Sequence, residues 1–415
     1  MMIALLLCAL AFTACKLILL ALNLRHLSRH GGEVPAELAD QIDATTLAKS
    51  ADYTRERTRV QLVFLVVSRL VVLAALFGGV LASYERWVVR CTHSFVLGAL
   101  LYAVGLSLVS GALSIPFAWY QTFVIEARHG FNRMTLRLWL SDLVKGALLS
   151  AALLSACVAA AAALVQASPE RYWLWIWALL AALGLLLTLL APHLIEPLFF
   201  KTTPLSVPGL EPRIVALSER AGVQVKHVFQ IDASRRSSHS NAYFTGIGPV
   251  KRVVLFDTLL ERMSHSEILG VLAHELGHWR RHHIAQRFVL GQALTLAACY
   301  GAYRLLSWPA LPSLIGEPGG GFFLRATLVA FLGSLLDFLT TPLSSAWSRK
   351  HEWEADQFAT ELTGDAPALA SALGKLARDN LSNLHPHPLF AAFYASHPSM
   401  KERVARLRAT RAHAG

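Results

Sequence analysis

The sequence predicts a multi-span α-helical membrane protein with about seven transmembrane helices and a small α+β unit in its polar segments. Of its 415 residues, 54% are hydrophobic and only 16% are charged, whereas soluble domains average about 25% charged residues. Several apolar runs exceed the roughly 18 residues that a helix needs to cross a bilayer. The lipid bilayer is therefore an expected partner of the chain.

Seven apolar segments are predicted to be membrane spans because of their length and composition. They are Met2–Asn23, Val60–Ser83, Phe95–Trp119, Val144–Gln166, Trp173–Leu194, Phe288–Leu306 and Phe322–Thr340. The first is interpreted as a retained span, since neither a basic leader nor a small-residue cleavage pattern accompanies it. Lys16, Arg69 and Asp337 fall inside these spans and are expected to face a hydrated interior, because ionised groups are costly in lipid.

Basic residues alternate between the loops, and this alternation predicts the topology. The N-terminus is expected outside, with the long loop after the fifth span and the C-terminal tail in the cytosol. The net charge of +11 is assigned to these loops, since no recognisable nucleic-acid-binding module is present and nucleic acid is not an expected partner. The Ala-, Leu- and Arg-rich composition suits a bacterium, so a bacterial inner membrane is the expected location.

The long polar loop contains the predicted α+β unit. Three short β-branched or aromatic runs predict strands, at His227–Ala233, Ala242–Ile247 and Arg252–Leu259. A helix is predicted over Ser264–Arg281, capped by Ser264 or Ser266. Another helix is predicted to begin near Ser345 and to stop at Gly364.

The H-E-L-G-H run on the first of these helices predicts a zinc site. Side chains four residues apart project from one helix face about 6 Å apart, so His274 and His278 can bind one metal ion. Glu275 lies about 100° around the helix and can take the proton of a metal-bound water. Gly277 is expected to allow the close approach of another backbone.

A catalytic zinc site needs a third protein ligand and one open position. The best candidates lie in Ser348–Asp356, where Glu352 and Asp356 share one helix face. From the spacing alone, either one can bind metal while the other orients a histidine. His351 is a less favoured alternative ligand, and Glu354 is expected to point elsewhere.

These motifs occur together with others in a combination that resembles a known family. The landmarks are Glu126–Thr135 (EARHGFNRMT), Ile195–Phe199 (IEPLF), Arg235–Phe244 (RRSSHSNAYF), Lys251–Leu260 (KRVVLFDTLL), His274–Trp279 (HELGHW), Glu352–Asp356 (EWEAD) and Ser396–Arg403 (SHPSMKER). With these landmarks the chain resembles the integral-membrane CAAX prenyl endopeptidases, seven-span zinc metallopeptidases of the gluzincin type. The resemblance covers nearly the whole chain and implies a gluzincin-like catalytic unit.

The resemblance assigns roles to further residues. It implies that Glu352 is the third metal ligand. It also implies that Asp356 is the partner of Glu352 and does not itself contact the metal. It places Asn241 and Ala242 on an edge strand that binds the substrate backbone. The site would hold one Zn²⁺ per chain.

On the substrate side, the resemblance makes His397 the residue that stabilises the tetrahedral intermediate, with Arg403 as a nearby basic residue on the substrate-binding side. The sequence departs from the family pattern at His129 and Phe200, outside the expected chemistry. His282 and His283, just after the zinc motif, are expected to be solvated residues at the membrane interface.

The predicted function is a membrane-embedded zinc metalloendopeptidase with a cytosolic active site. The expected division is 1–200 (five spans), 201–285 (sheet and H-E-L-G-H helix), 286–340 (two spans) and 341–415 (third ligand). The expected substrate is a peptide or a membrane protein, with or without a prenyl group. Two alternatives stay open: a zinc hydrolase of a lipid or other non-peptide substrate, and a non-catalytic membrane scaffold.

Overall fold

The structure is a computed structural model that describes residues 1–245 and 250–412. Among these residues it contains fifteen α-helices, which are α1 (Met2–His30), α2 (Ala44–Phe77), α3 (Val80–Cys91), α4 (Phe95–Tyr120), α5 (Leu136–Ala167), α6 (Tyr172–Leu190), α7 (Glu196–Phe199), α8 (Leu210–Arg220), α9 (Asp257–Arg262), α10 (His265–Arg280), α11 (His283–Leu306), α12 (Phe322–Thr363), α13 (Ala366–Asp379), α14 (Pro388–Tyr394) and α15 (Met400–Ala412). π-Helical turns at Gln121–Glu126 and Ala191–Ile195 continue α4 and α6.

Six helical segments are long and apolar enough to cross a membrane. They are Met2–His30, Ala44–Phe77, Phe95–Glu126, Leu136–Ala167, Tyr172–Phe199 and Phe322–Thr363. The predicted sixth span lies within α11, a 24-residue helix that is not among these six. The multi-span helical fold class is confirmed, with a number of spans close to the seven predicted.

The second predicted span, Val60–Ser83, is wrong at its C-terminal end. α2 stops at Phe77, and α3 begins as a separate helix at Val80. Gly79 between them has φ 71°, a left-handed conformation that glycine adopts without steric cost. The chain therefore breaks the helix at Gly78–Gly79, inside a run that is apolar enough to look continuous.

α12 corrects the prediction of two helices around Thr340 and Ser345. It is one helix of 42 residues that runs through Pro342. The proline removes one backbone hydrogen bond, but the helix continues on both sides of it. Gly364 ends the helix with φ 67°, as predicted. A membrane span and the segment with the predicted third ligand are thus one element.

The small sheet has the strand order β1-β2-β4-β3. Its strands are β1 (Thr202–Pro204), β2 (Gln224–Ile231), β3 (Ala242–Thr245) and β4 (Val250–Phe256). β2 and β4 are parallel, whereas β1 pairs with β2 and β3 pairs with β4 in antiparallel fashion. β3 is therefore an edge strand.

The predicted strands differ from the observed ones mainly at their ends. β2 begins three residues before His227, and β4 gives way at Asp257 to α9 rather than extending to Leu259. β1 was not predicted, because three residues are too few to show a periodic pattern. The predicted end of the second strand, Ile247, lies outside the described residues.

One buried cluster joins the sheet to the helices that follow it. It contains side chains from β2, β3, β4, α8, α10, α12 and α13, and Leu272 and Leu276 of α10 are fully buried in it. α10 is packed on several sides, and its position is fixed by the sheet on one side and by α12 on another.

Candidate metal centre

α10 begins at a capping box that fixes its first turn. The Ser264 hydroxyl accepts a hydrogen bond from the Glu267 N–H, and the Glu267 carboxylate accepts one from the Ser264 N–H at 2.8 Å. Lys375 also donates to Glu267, at 2.7 Å. Ser264, rather than Ser266, is therefore the cap, and two backbone donors at the helix start are satisfied.

α10 and α12 pack closely at one glycine. A Cβ added to Gly277 would lie 2.9 Å from the Ala355 Cα and 3.1 Å from its carbonyl oxygen. The predicted close approach of another backbone at Gly277 is confirmed. Because the helices meet here, the acidic face of α12 lies opposite the histidine face of α10.

The meeting of these two faces brings three predicted ligands together. His274 Nε2 and His278 Nε2 are 3.3 Å apart. Glu352 Oε2 lies 3.2 Å from the first, and Oε1 lies 3.4 Å from the second. Ligand atoms at about 2.0–2.1 Å around a tetrahedral zinc ion are about 3.3–3.4 Å apart. The three side chains therefore fit a metal ion.

Glu352 supports this fit in a second way. Its carboxylate is buried, yet Oε2 has no hydrogen-bond partner of acceptable geometry among the described residues. Burial would lower the pKa of the His274 imidazole, but its contacts with Asp356 and Glu352 raise this pKa to about 9. The two carboxylates thus favour positive charge at the His274 imidazole.

Asp356 contacts His274 on the side away from Glu352, so it is the carboxylate of the two that can orient a histidine. Its Oδ1 is 2.8 Å from His274 Nδ1, so it can accept that proton and leave Nε2 free for metal. Both oxygens of Asp356 also accept hydrogen bonds from Arg403, at 2.8 and 2.6 Å. The Arg403 side chain is 4% exposed, and two nitrogens of its guanidinium group donate to Asp356.

His278 is supported by residues that the sequence analysis missed. Its Nδ1 lies 3.0 Å from His283 Nδ1, and His283 Nε2 lies 2.8 Å from Glu354 Oε2. The prediction of a solvated His283 is wrong, because its side chain is 1% exposed. His283 is the first residue of α11, directly after His282, which adopts φ 58° between α10 and α11.

Two neighbouring residues of this segment lie outside the group of three ligands. Glu354 is not one of the ligands, as expected, but it contacts His283, which lies beside His278. His351 stacks on His283, with ring centroids 3.9 Å apart, and does not belong to the group of three ligands.

The predicted substrate-side residues lie around this centre in different ways. His397 Nδ1 is 2.7 Å from Glu352 Oε2, and its side chain is 55% exposed. Asn241 immediately precedes β3, and its carbonyl oxygen accepts a hydrogen bond from the Phe256 N–H at 3.1 Å. Ala242 pairs with Leu255 in the next register position.

The register determines which way the β3 backbone faces. Antiparallel pairs alternate between hydrogen-bonded and non-hydrogen-bonded positions. Since Asn241 bonds to β4, Ala242 directs its N–H and C=O away from β4, towards the free edge. The Asn241 side-chain oxygen accepts from this N–H at 2.9 Å. The two departures from the family pattern lie elsewhere: His129 lies beside Glu56, and Phe200 lies beneath Arg236.

Comparison with known proteins gives a result along the whole chain. Residues 23–201 match the family description "CAAX prenyl protease N-terminal, five membrane helices", and residues 204–411 match "Peptidase family M48". The chain belongs to peptidase family M48. It is a membrane-embedded metalloendopeptidase, which confirms the predicted function. The family match does not support the two alternatives, a lipid hydrolase and a non-catalytic scaffold.

Individual relatives agree with this assignment. A CAAX prenyl protease 1 homolog from Oryza sativa is 37% identical over 323 residues, which cover 75% of this chain and 73% of the relative. CAAX prenyl protease 1 from Saccharomyces cerevisiae is 32% identical and covers 90% and 88%. The crystal structure of S. mikatae Ste24p superimposes with a TM-score of 0.89 at 29% identity, over 96% and 97% of the two chains.

Proposed function

We propose that the metal is zinc, one ion per chain, held by His274, His278 and Glu352. The observation that carries this proposal is the 3.2–3.4 Å spacing of the three ligand atoms, together with two imidazoles and one carboxylate as the ligand set. Zinc bound there would polarise the scissile carbonyl and make a bound water more acidic. Side chains of the protein would carry out proton transfer, substrate binding and stabilisation of the intermediate.

Glu275 is the proposed general base. It follows His274 on α10, so it lies beside the ligand face rather than on it, and its side chain is half-buried. From this position the carboxylate can take a proton from water during attack and deliver it to the leaving amine.

The decisive test of the function uses Glu275→Gln and His274→Ala. The glutamine variant is expected to retain about one zinc per chain in metal analysis but to lose peptide hydrolysis by several orders of magnitude, because the amide cannot accept the proton. His274→Ala is expected to lose zinc. Near-normal turnover in Glu275→Gln would remove it as the base, and full zinc content in His274→Ala would refute the metal site.

β3 is the proposed binding edge for the substrate backbone, with Asn241 and Ala242 at its start. An extended peptide beside this edge would gain main-chain hydrogen bonds whatever its side chains. Ala242→Pro removes one outward donor without removing a bond to β4. Weaker binding of a peptide inhibitor with unchanged zinc content is expected, and unchanged inhibitor affinity would exclude this edge.

His397 is proposed to act on the tetrahedral intermediate. It is exposed and adjacent to Glu352, so it can donate to an oxyanion formed beside the metal ligands. His397→Ala is expected to lower kcat and kcat/KM together by about 10²–10³ with little change in KM. Loss of zinc in this variant would instead make His397 a ligand.

Arg403 is proposed to position Asp356. The sequence-based prediction of a substrate contact stays a prediction, but the guanidinium fork is committed to Asp356. Arg403 thereby fixes the carboxylate that orients His274.

The substrate is proposed to be a peptide or membrane protein, and the names of the relatives make a prenylated CAAX protein one candidate. Hydrolysis of matched prenylated and unprenylated peptides by the purified protein would test this. Faster cleavage of the prenylated member supports prenyl recognition, and equal rates exclude it.

A bacterial inner membrane with a cytosolic active site is proposed from the composition and the basic loops, with the four-segment division given above. In a cysteine-free background, Ser206→Cys and Gly319→Cys lie at exposed positions in segments predicted on opposite sides. A membrane-impermeant thiol reagent applied to intact cells should label only Gly319→Cys. Labelling of both variants would contradict the topology.

A further inference from the structure

The two histidine ligands differ in what lies behind them. A metal-bound histidine almost always donates its other ring N–H to a fixed acceptor. For His274 this acceptor is the carboxylate of Asp356, at 2.8 Å. On the Nδ1 side of His278, the described residues place no carboxylate in direct contact, and Nδ1 faces the imidazole of His283 at 3.0 Å.

We infer that His283 and Glu354 form a positioning relay that holds His278 in its metal-binding tautomer and orientation. The inference rests on the proposed zinc site. Its three members are joined by two short contacts, His278 Nδ1 to His283 Nδ1 at 3.0 Å and His283 Nε2 to Glu354 Oε2 at 2.8 Å. The relay ends on the carboxylate of Glu354. His278 reaches this carboxylate through one intervening imidazole, whereas His274 contacts the carboxylate of Asp356 directly.

Only one arrangement of protons satisfies both contacts and leaves His278 able to bind metal. His278 must present the lone pair of Nε2 to the ion, so its proton sits on Nδ1. His283 Nδ1 must then accept that proton's hydrogen bond, which places the His283 proton on Nε2. Nε2–H donates to Glu354, which as a carboxylate can only accept. The terminal carboxylate thus fixes the tautomers of both rings.

The surroundings of His283 fit this role better than that of a surface residue. Its side chain is 1% exposed. Its ring lies flat on His351, with an interplanar angle of 4°. It is held by two elements at once, since it opens α11 and contacts Glu354 on α12. A ring fixed in this way can define the direction of the His278 imidazole.

Loss of such a partner typically weakens metal affinity about 10–100-fold. The informative substitutions are His283→Leu, which fills similar space without an acceptor, and His283→Gln, whose amide oxygen can accept from His278. Glu354→Gln keeps an acceptor but removes the charge. Glu361→Gln is the matched control, because Glu361 lies on the same helix and contacts Gln357 instead.

The experiment measures the zinc dissociation constant by chelator competition and the visible spectrum of the cobalt-substituted protein, with the full chain in detergent. His283→Leu is expected to weaken zinc binding about 10–100-fold and to alter the cobalt spectrum. His283→Gln should recover most of the affinity, Glu354→Gln should lose up to about 10-fold, and Glu361→Gln should match the wild type. The melting temperature of each metal-free variant reports the fold separately.

Wild-type zinc affinity and spectrum in His283→Leu would overturn the relay. Equal losses in the Leu and Gln variants with lowered metal-free melting temperatures would also overturn it, since packing alone would then explain them. A wild-type protein that binds no zinc would instead refute the proposed metal site, so the two failures are distinguishable.

Discussion

The helix that carries the H-E-L-G-H run and the membrane helices bury their side chains to very different degrees. Eight of the sixteen residues of α10 are buried, including His274 and Glu267. In the most apolar stretch of α6, none is buried. α10 is held by packing and by paired charges within the protein, whereas α6 presents its apolar surface to its surroundings. Equivalent substitutions should therefore cost more around α10 than around the spans.

The membrane helices also line a pocket of their own. A cavity of about 490 Å³ lies between α2, α4 and α12, with Arg69, Ser110 and Ser334 in its wall. Its lining agrees with the expectation that Arg69 faces an interior rather than lipid.

The largest difference is expected between a buried and an exposed ion pair. Arg403→Gln leaves the buried Asp356 carboxylate without its fork and should lower the free energy of unfolding by about 3–5 kcal/mol. Arg86→Gln removes a pair with Glu317 in which Arg86 is 56% exposed, and should cost about 0–1 kcal/mol. Thermal unfolding in detergent, with metal chelated, compares the two variants. Equal shifts would show that the catalytic unit is no more sensitive than the exposed pair between α3 and Glu317.

Gly277 and Gly291 allow the same comparison between a tightly packed helix and a membrane-side helix, with packing as the only difference. Gly277→Ala places a methyl group against the Ala355 backbone and should destabilise by about 1–3 kcal/mol. Gly291, inside α11, has nothing within 4 Å of an added Cβ. Gly291→Ala should be neutral or stabilise by up to about 1 kcal/mol through helix propensity. A melting temperature raised by Gly277→Ala would contradict the close α10–α12 contact.

The smallest expected effect concerns the cap of α10 and depends on pH. Burial would raise the pKa of the Glu267 carboxyl, but hydrogen bonds from Lys375, Ser371 and Ser264 outweigh burial and hold this pKa below its ordinary value of 4.5. A lowered folded-state pKa stabilises above the unfolded value, and the stabilisation is lost as the pH falls through the folded value.

Glu267→Gln should therefore lower stability by about 1–2 kcal/mol at neutral pH. The difference from the wild type should shrink as the pH is lowered below about 4.5 in unfolding scans. Glu211→Gln is the control, since Glu211 occupies the first turn of α8 at an exposed position. A Glu267→Gln deficit that persists unchanged in acid would remove the carboxylate charge as its cause.

The sequence predicted the features that depend on local spacing. The i, i+4 spacing placed His274 and His278 on one helix face, and one acidic helix face narrowed the third ligand to Glu352 or Asp356. The choice of Glu352 came from the family resemblance. The Ser264 cap and the Gly364 stop were likewise predictable from local chemistry. The helical fold class followed from apolar run length.

Features that depend on tertiary contacts were not predictable in the same way. His282 adopts a positive φ and the next residue, His283, is buried. No local propensity signals the burial of His283. The continuity of α12 was hidden by Pro342, whose tolerance depends on the surrounding structure. Arg403 was expected near substrate because its partner Asp356, 47 residues away, could be identified only in three dimensions.

The length of α12 has a mechanical consequence. At 1.5 Å per residue its 42 residues extend about 63 Å, roughly twice the hydrocarbon thickness of a bilayer. Glu352 lies about 30 Å beyond the middle of the membrane part, so each degree of tilt would swing it by about 0.5 Å. Metal ligands tolerate only about 0.2 Å. Because α10 packs tightly against α12 at Gly277, His274 and His278 should move together with Glu352 when α12 tilts. Zinc affinity should therefore be the same in thin and thick bilayers.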